Sequence, residues 1–454
     1  MSSKTQSIVW IKKPLAVYAE NAEAGVVIQG NKILELVSQG QSPKSQIDEV
    51  YDASDSVLLP GLINTHHHFY QTLTRAYPEA LNKELFPWLK SLYKVWANIQ
   101  PEMISVSTEL ALSELLLSGC TTASDHHYLF PSQLESAIDI QVEEAKKLGM
   151  RVVLTRGSMS LGEKDGGLPP QSVVQTKEQI LSDSARLIKT HHDASDGAMT
   201  QIALAPCSPF SVSTDLMIET AQLAKQHNVR LHTHLAETID EENFCLEKFG
   251  LRTVDYLESV GWLSDQTWLA HGIHFNKEEI QKLGQAGVGI CHCPTSNMML
   301  ASGICHSLEL EDAGSIIGLG VDGSASNDGS NMIAELRQAM YLQRLRYGAS
   351  QITHQKAYHW ATKGSAALLG RNDIGEIAVG KQADLALFKL DEMRFSGSHD
   401  ALAALLLCGA QKADRVMIAG NWKVIDGRII DQDSSELISR HSNAAKQLRQ
   451  LSSL

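Results

Sequence analysis

At 454 residues, 43% hydrophobic and 20% charged, the chain can bury a substantial core and is long enough for one large domain plus a smaller one. Its net charge of −13 argues against a general binder of nucleic acid or anionic membrane, both of which need basic surface; a small heterocyclic substrate stays open. Seven cysteines, an odd number scattered along the chain, do not resemble a disulfide framework.

Residues 1–7 carry no basic stretch followed by an apolar core, so no leader peptide is expected. The most apolar run, 401–410, is far shorter than the ~20 residues of a membrane-spanning helix. Cytoplasmic residence is the expectation.

Near the N-terminus, residues 26–34 read as two β-rich runs hinged on Gly30-Asn31, and residues 416–424 repeat the pattern around Gly420-Asn421. Residues 374–390 add two strand-like segments, the clearer at 383–388. Isolated hairpins are marginal, so the two chain ends are predicted to meet in one small β-sandwich domain, residues 1–59 together with 373–454.

Residues 60–372 alternate short apolar strands with helical patterns. Strands are predicted to end near His66, Asp125, Arg156, Pro206, His234, His271, His292 and Asp322. Helices are predicted over 109–117, 134–148, 214–227 and 278–286, among others. Eight strand–helix units predict an α/β fold, a (β/α)8 TIM barrel; a doubly wound open sheet is the alternative.

In such a barrel the C-terminal strand ends converge on one mouth, where chemistry is done. Polar residues cluster there: His66 and His68 after the first strand, Asp125, His126 and His127 on the second, Arg156 on the third and Cys207 after the fourth. The later strands bring His234 and Glu237, then His271, then His292 and Asn297, then Asp322. Alternation along an extended segment puts His66 and His68 on one side and His67 on the other.

His66, His68, His234 and Asp322 are candidate ligands of one divalent metal, zinc first, with iron or manganese sharing the same donors. A metal there lowers the pKa of its water towards ~7, giving hydroxide at neutral pH, with Asp322 placed to take the released proton. Glu237 is the candidate proton shuttle to a ring nitrogen and the leaving group, and His271 the residue beside the hydroxide. Each histidine alone is more often a hydrogen-bonded core or surface residue than a ligand; the argument rests on the set. Asp125, His126, His127 and His292 read as supporting or rim residues.

Two motifs mislead. Gly318 to Gly323 fits GxGxxG, but the polar, turn-like stretch after it lacks the helix start of a dinucleotide site. Cys291-His292-Cys293 has no second cysteine pair and reads as strand packing.

The stretches 59–68, 232–237, 271–272, 291–297, 320–327 and 375–385 resemble the amidohydrolase superfamily, in its single-metal deaminase and chlorohydrolase branch. The likeness spans nearly the whole chain and implies the roles argued above. Binuclear members usually carry a bridging carboxylated lysine on strand four; residues 201–207 have none, so the resemblance implies one metal. Relatives acting on adenosine-type compounds tend to have histidine at the position of Cys207, which argues against a nucleoside. Residues 68–75 with 206–210 look most like the group that deaminates 8-oxoguanine to urate and ammonia.

The implied partner is a small nucleobase. Gln71, Arg156 and Cys207 are the candidate substrate contacts, Arg156 reading equally as a structural ion pair. The alternatives are a hydroxyatrazine-type s-triazine amino- or chlorohydrolase, a guanine deaminase, or a non-catalytic metal-binding barrel. Many large barrels of this type pair through their helices, so a homo-oligomer is compatible with the sequence.

Overall fold

A computed structural model describes residues 7–453; the reading of residues 1–7 as lacking a leader therefore lies almost wholly outside the described residues. Eight parallel strands stand side by side in chain order: Leu62–Asn64, Cys120–His127, Arg151–Ser158, Thr200–Pro206, Leu231–Leu235, Thr267–His271, Gly289–His292 and Ile317–Leu319. The seam between last and first is stitched by the Thr65 amide donating to Leu319 O at 2.9 Å, and by the Asp322 amide donating to His66 O at 3.1 Å. Asn64 Oδ1 adds a third bond, accepting from the Val321 amide at 2.9 Å. These bonds curl the sheet into the predicted barrel.

The helices outside it follow local chemistry. Thr176 and Asn276 cap helices Lys177–His191 and Lys277–Gln285, each in a capping box with the glutamine or glutamate three residues on. Gly149, Asn228 and Gly250 end helices Ala137–Leu148, Thr214–His227 and Ile239–Phe249 in left-handed conformation. Among the described residues no helix is long and apolar enough to cross a membrane.

Both chain ends build the second layer. One sheet has Ile8–Lys12, Gly25–Gln29, Lys32–Val37 and Glu49–Asp52. The other joins Ala16–Val17 and Ser56–Pro60 to Leu385–Lys389, Arg415–Ile418, Asn421–Ile425 and Arg428–Ile429. Ile11, Val26 and Ile28 of the first sheet share one buried cluster with Leu58, Leu385 and Leu387 of the second, so the sheets pack face to face. Strand alternation does the rest: Val57 and Leu59, flanking Leu58, belong to the barrel-side core. Arg151, at the start of the third barrel strand, clamps the layers together by a bidentate pair to Asp384 at 3.0 and 3.1 Å.

Two local expectations are corrected. The second hairpin turns on Ala419-Gly420, at φ +48° and +75°, not on Gly420-Asn421, because Asn421 already pairs with Ile418. Residues 374–390 hold one strand, Leu385–Lys389, with an isolated bridge between Gln382 and Lys32; the stretch before it is turn and loop.

Candidate active site

The barrel mouth gathers His66, His68, His234, Glu237, His271 and Asp322 from four different strand ends. His66 Nε2 and His68 Nε2 each lie 3.3 Å from Asp322 Oδ1, and His68 Nε2 lies 3.3 Å from His234 Nε2. His271 Nε2 stands 3.4 Å from Glu237 Oε2 and 3.8 Å from Asp322 Oδ2. Ala236, His271 and Asp322 take left-handed backbone at φ +54°, +73° and +62°, strain that re-aims the chain where each strand leaves the barrel.

The far side of each imidazole is tied down. His66 Nδ1 meets His232 Nε2 at 2.8 Å, and His232 Nδ1 donates to Trp268 O at 2.9 Å. His68 Nδ1 donates to His126 O at 2.7 Å and His234 Nδ1 to Cys207 O at 2.6 Å. With the protons on Nδ1, the Nε2 lone pairs of His66 and His68 face the Asp322 carboxylate, and that of His234 faces His68 Nε2. Two lone pairs facing each other at 3.3 Å, and a buried His66 Nε2 with no hydrogen-bond partner, are costly arrangements unless a cation lies among them. The donors therefore fit a divalent metal. Burial holds His66 and His234 well below the usual histidine pKa, in the neutral form a metal requires. Burial works to raise Asp322, but the His66 and His68 rings beside it oppose that and hold the carboxyl well below its usual range.

Glu237 accepts from Ser302 Oγ at 3.3 Å, and burial raises its pKa, the direction a proton-carrying carboxyl needs. His271 Nδ1 donates to Asn297 Oδ1 at 2.9 Å, which fixes its ring.

Gln71 and Cys207 line the same pocket, together with Trp88 and Tyr93 of helix Leu85–Trp96. Gln71 Oε1 accepts from the Ala325 amide at 3.3 Å, and its carboxamide occupies the space that a side chain at Gly323 would take. Burial pushes the Cys207 thiol up to about 12, which keeps it neutral.

Arg156 is the correction among the site residues. Its guanidinium donates to Asp183 Oδ2 at 2.8 Å and Gln175 Oε1 at 2.7 Å and lies 3.8 Å over the Phe130 ring, away from the pocket lining. The structural ion pair wins because the third strand aims this side chain at helix Lys177–His191.

Asp125 accepts from the Phe69 amide at 2.6 Å and from Gln141 Nε2 at 2.8 Å, anchoring the turn that carries Gln71. His126 stacks on His234, His127 meets Leu129 O and His292 meets Gln343. His232, Ser302, Tyr93 and the role of Asn297 escaped the sequence reading. Only His232 left a signal, standing two residues before His234 and hence on the same side of its strand. The misleading glycines of 318–323 lead into turns, and the next helix begins at Met332.

A family model described as the amidohydrolase family matches residues 57–423. The chain is 65% identical over 445 residues to an 8-oxoguanine deaminase of Pseudomonas aeruginosa, covering 97% of this chain and 99% of that protein. It is 34% identical over 397 residues to a hydroxydechloroatrazine ethylaminohydrolase of a Pseudomonas species, covering 86% of this chain and 82% of that one. The solved structure of an atrazine chlorohydrolase from Arthrobacter aurescens complexed with zinc superposes with a TM-score of 0.91 at 30% identity, covering 96% of this chain and 100% of that one.

Proposed function

The chain belongs to the amidohydrolase family, and from that we propose that it deaminates a purine base, 8-oxoguanine, hydrolytically, giving urate and ammonia. The observation that carries the reading is the pairing of an intact His66, His68, His234 and Asp322 donor set with a buried Glu237 beside it, whose carboxyl burial shifts upward. The 65% identity to a protein named for that substrate selects the base.

A divalent metal held by those four residues, zinc being the metal of the chlorohydrolase relative, supplies Lewis acidity that makes water a competent nucleophile near neutral pH. The rest falls to the chain's own groups. Asp322, kept ionised, accepts the proton that the attacking water loses. Glu237 delivers a proton to the ring nitrogen beside the amino-bearing carbon, takes the proton of the added hydroxyl and carries it to the departing amine, which leaves as ammonia as the carbon–oxygen double bond forms, and the proton on Asp322 restores Glu237. His271, oriented by Asn297, steadies the incoming oxygen. Gln71 offers its free carboxamide end to the base, and Cys207 a neutral thiol. Helix Leu85–Trp96 adds the apolar Leu85 and Leu89 to the pocket lining.

The test is metal analysis of the purified protein combined with ammonia release from 8-oxoguanine, guanine, an adenosine-type nucleoside and hydroxy- and chloro-s-triazines. One metal per chain and turnover highest on 8-oxoguanine are expected. Turnover on triazines alone would transfer the assignment to the triazine hydrolases, whose fold this chain shares at a TM-score of 0.92.

A further inference from the structure

In the first turn of helix Ile239–Phe249, one helical turn past Glu237, stands a second glutamate that the chemistry above does not use. Glu241 is wholly buried; its Oε2 accepts from the Glu237 amide at 3.1 Å, and its Oε1 has no hydrogen-bond partner. The neighbouring Glu242 is buried too, but Arg252 Nη1 lies 2.7 Å from its Oε1 and balances its charge. Among the described residues Glu241 has no such cation. A buried carboxyl held only by amides is costly, and burial lifts its pKa to about 8 against the opposing pull of the Glu237 and Ala236 amides.

The backbone it meets is strained. Ala236, between strand Leu231–Leu235 and Glu237, sits at φ +54°, a conformation that persists only where the surroundings impose it. Both polar ends of the Ala236–Glu237 peptide are held. Its carbonyl accepts from the amides of Ile273 and His274, both at 2.9 Å, in the turn just past His271. Its N–H, on the opposite side, goes to Glu241. This peptide sets the direction in which the Glu237 side chain leaves the backbone, towards Ser302 Oγ at 3.3 Å and His271 Nε2 at 3.4 Å. Without an acceptor for the N–H, the strained turn is free to relax and the carboxyl swings with it. Glu241 itself does not line the pocket. We infer that Glu241 is a positioning residue for proton transfer, which aims the Glu237 carboxyl through the Ala236–Glu237 peptide. The inference rests on the reading of Glu237 as the proton carrier.

The experiment is a double-mutant cycle read as ammonia release from the base turned over fastest, expected to be 8-oxoguanine. Glu241→Gln keeps an oxygen to accept from the Glu237 amide, whereas Glu241→Met keeps the length and removes the acceptor. Each is made alone and in the Glu237→Gln background. With Glu237 present, Glu241→Met should lower kcat about tenfold at unchanged KM and metal content, and Glu241→Gln should stay within about threefold of wild type. In the Glu237→Gln background no proton remains to be aimed, and Glu241→Met should change the residual turnover less than about twofold. An equal loss in both backgrounds would make Glu241 a general support of the site and overturn the inference, as would wild-type turnover in Glu241→Met. Where Glu241→Met does not fold, Glu241→Asp, one methylene short of the amide, carries the same comparison under the same criteria. Wild-type turnover in Glu237→Gln alone would instead overturn the proton-carrier reading, and this inference with it.

Discussion

Replacing Glu237 by glutamine separates proton transfer from metal binding. The amide has the shape of the acid: one end can still accept from Ser302 Oγ, now at 3.3 Å, and the other can donate to His271 Nε2, now 3.4 Å from the carboxylate. Among the cage histidines and Asp322, none is hydrogen-bonded to Glu237, so the metal donors keep their places. What disappears is the proton. Positioned general acid–base catalysis contributes about 10²–10⁴ in rate, or ~3–5 kcal/mol of transition-state stabilisation. Glu237→Gln should therefore retain one metal by elemental analysis and an unchanged thermal midpoint, while kcat and kcat/KM for ammonia release fall together. Turnover within a factor of three of wild type would remove Glu237 from the chemistry. A large loss of metal would mean that it holds the cage and not the proton.

Three further substitutions probe the supports. Asp384→Ala strands the Arg151 guanidinium, whose side chain is wholly buried, with only the carbonyls of Gly197 and Ala198 as partners, and should cost about 3–5 kcal/mol, read as a lowered thermal midpoint; the pair Arg151→Met/Asp384→Leu should recover most of it. His232→Ala removes the acceptor that sets the His66 tautomer and should weaken metal affinity about 10–100-fold in a metal-buffered titration, with the fold intact; unchanged affinity would dismiss the relay. His441, on the C-terminal helix Ser434–Leu451, donates to Thr72 Oγ1 at 3.0 Å, and burial lowers its pKa from the ordinary 6.5 to about 4. The unfolded chain therefore takes up this proton first, and docking of that helix should weaken as pH falls from 6.5 towards 4. Hydrogen exchange over residues 434–451, corrected for intrinsic rates, should show this in wild type and less so in His441→Gln; equal acid sensitivity in both would locate the effect elsewhere.

The barrel was legible because its signals are local. Short apolar strands, capping residues such as Thr176 and Asn276, and left-handed enders such as Gly149 act within a few residues of themselves. The meeting of His66, His68, His234 and Asp322 was legible for the same reason, since each sits at or just past the end of a strand whose position the pattern already gave. Hairpin turns were placed one residue off at Ala419-Gly420, where pairing across the strands, not the turn residues alone, sets the register.

Residue types and spacing alone thus determined the parallel barrel, the layer made from both ends, and the histidine and carboxylate donors at the strand tips. Tertiary structure decided which neighbours those side chains meet. Arg156 turned to Asp183 and not to the pocket, His232 came to hold His66, and Tyr93 was carried from helix Leu85–Trp96 to the pocket lining. The physical reason is range: backbone preference and burial period act along the chain, whereas a hydrogen bond or ion pair between residues far apart in sequence exists only once packing has brought its two halves together.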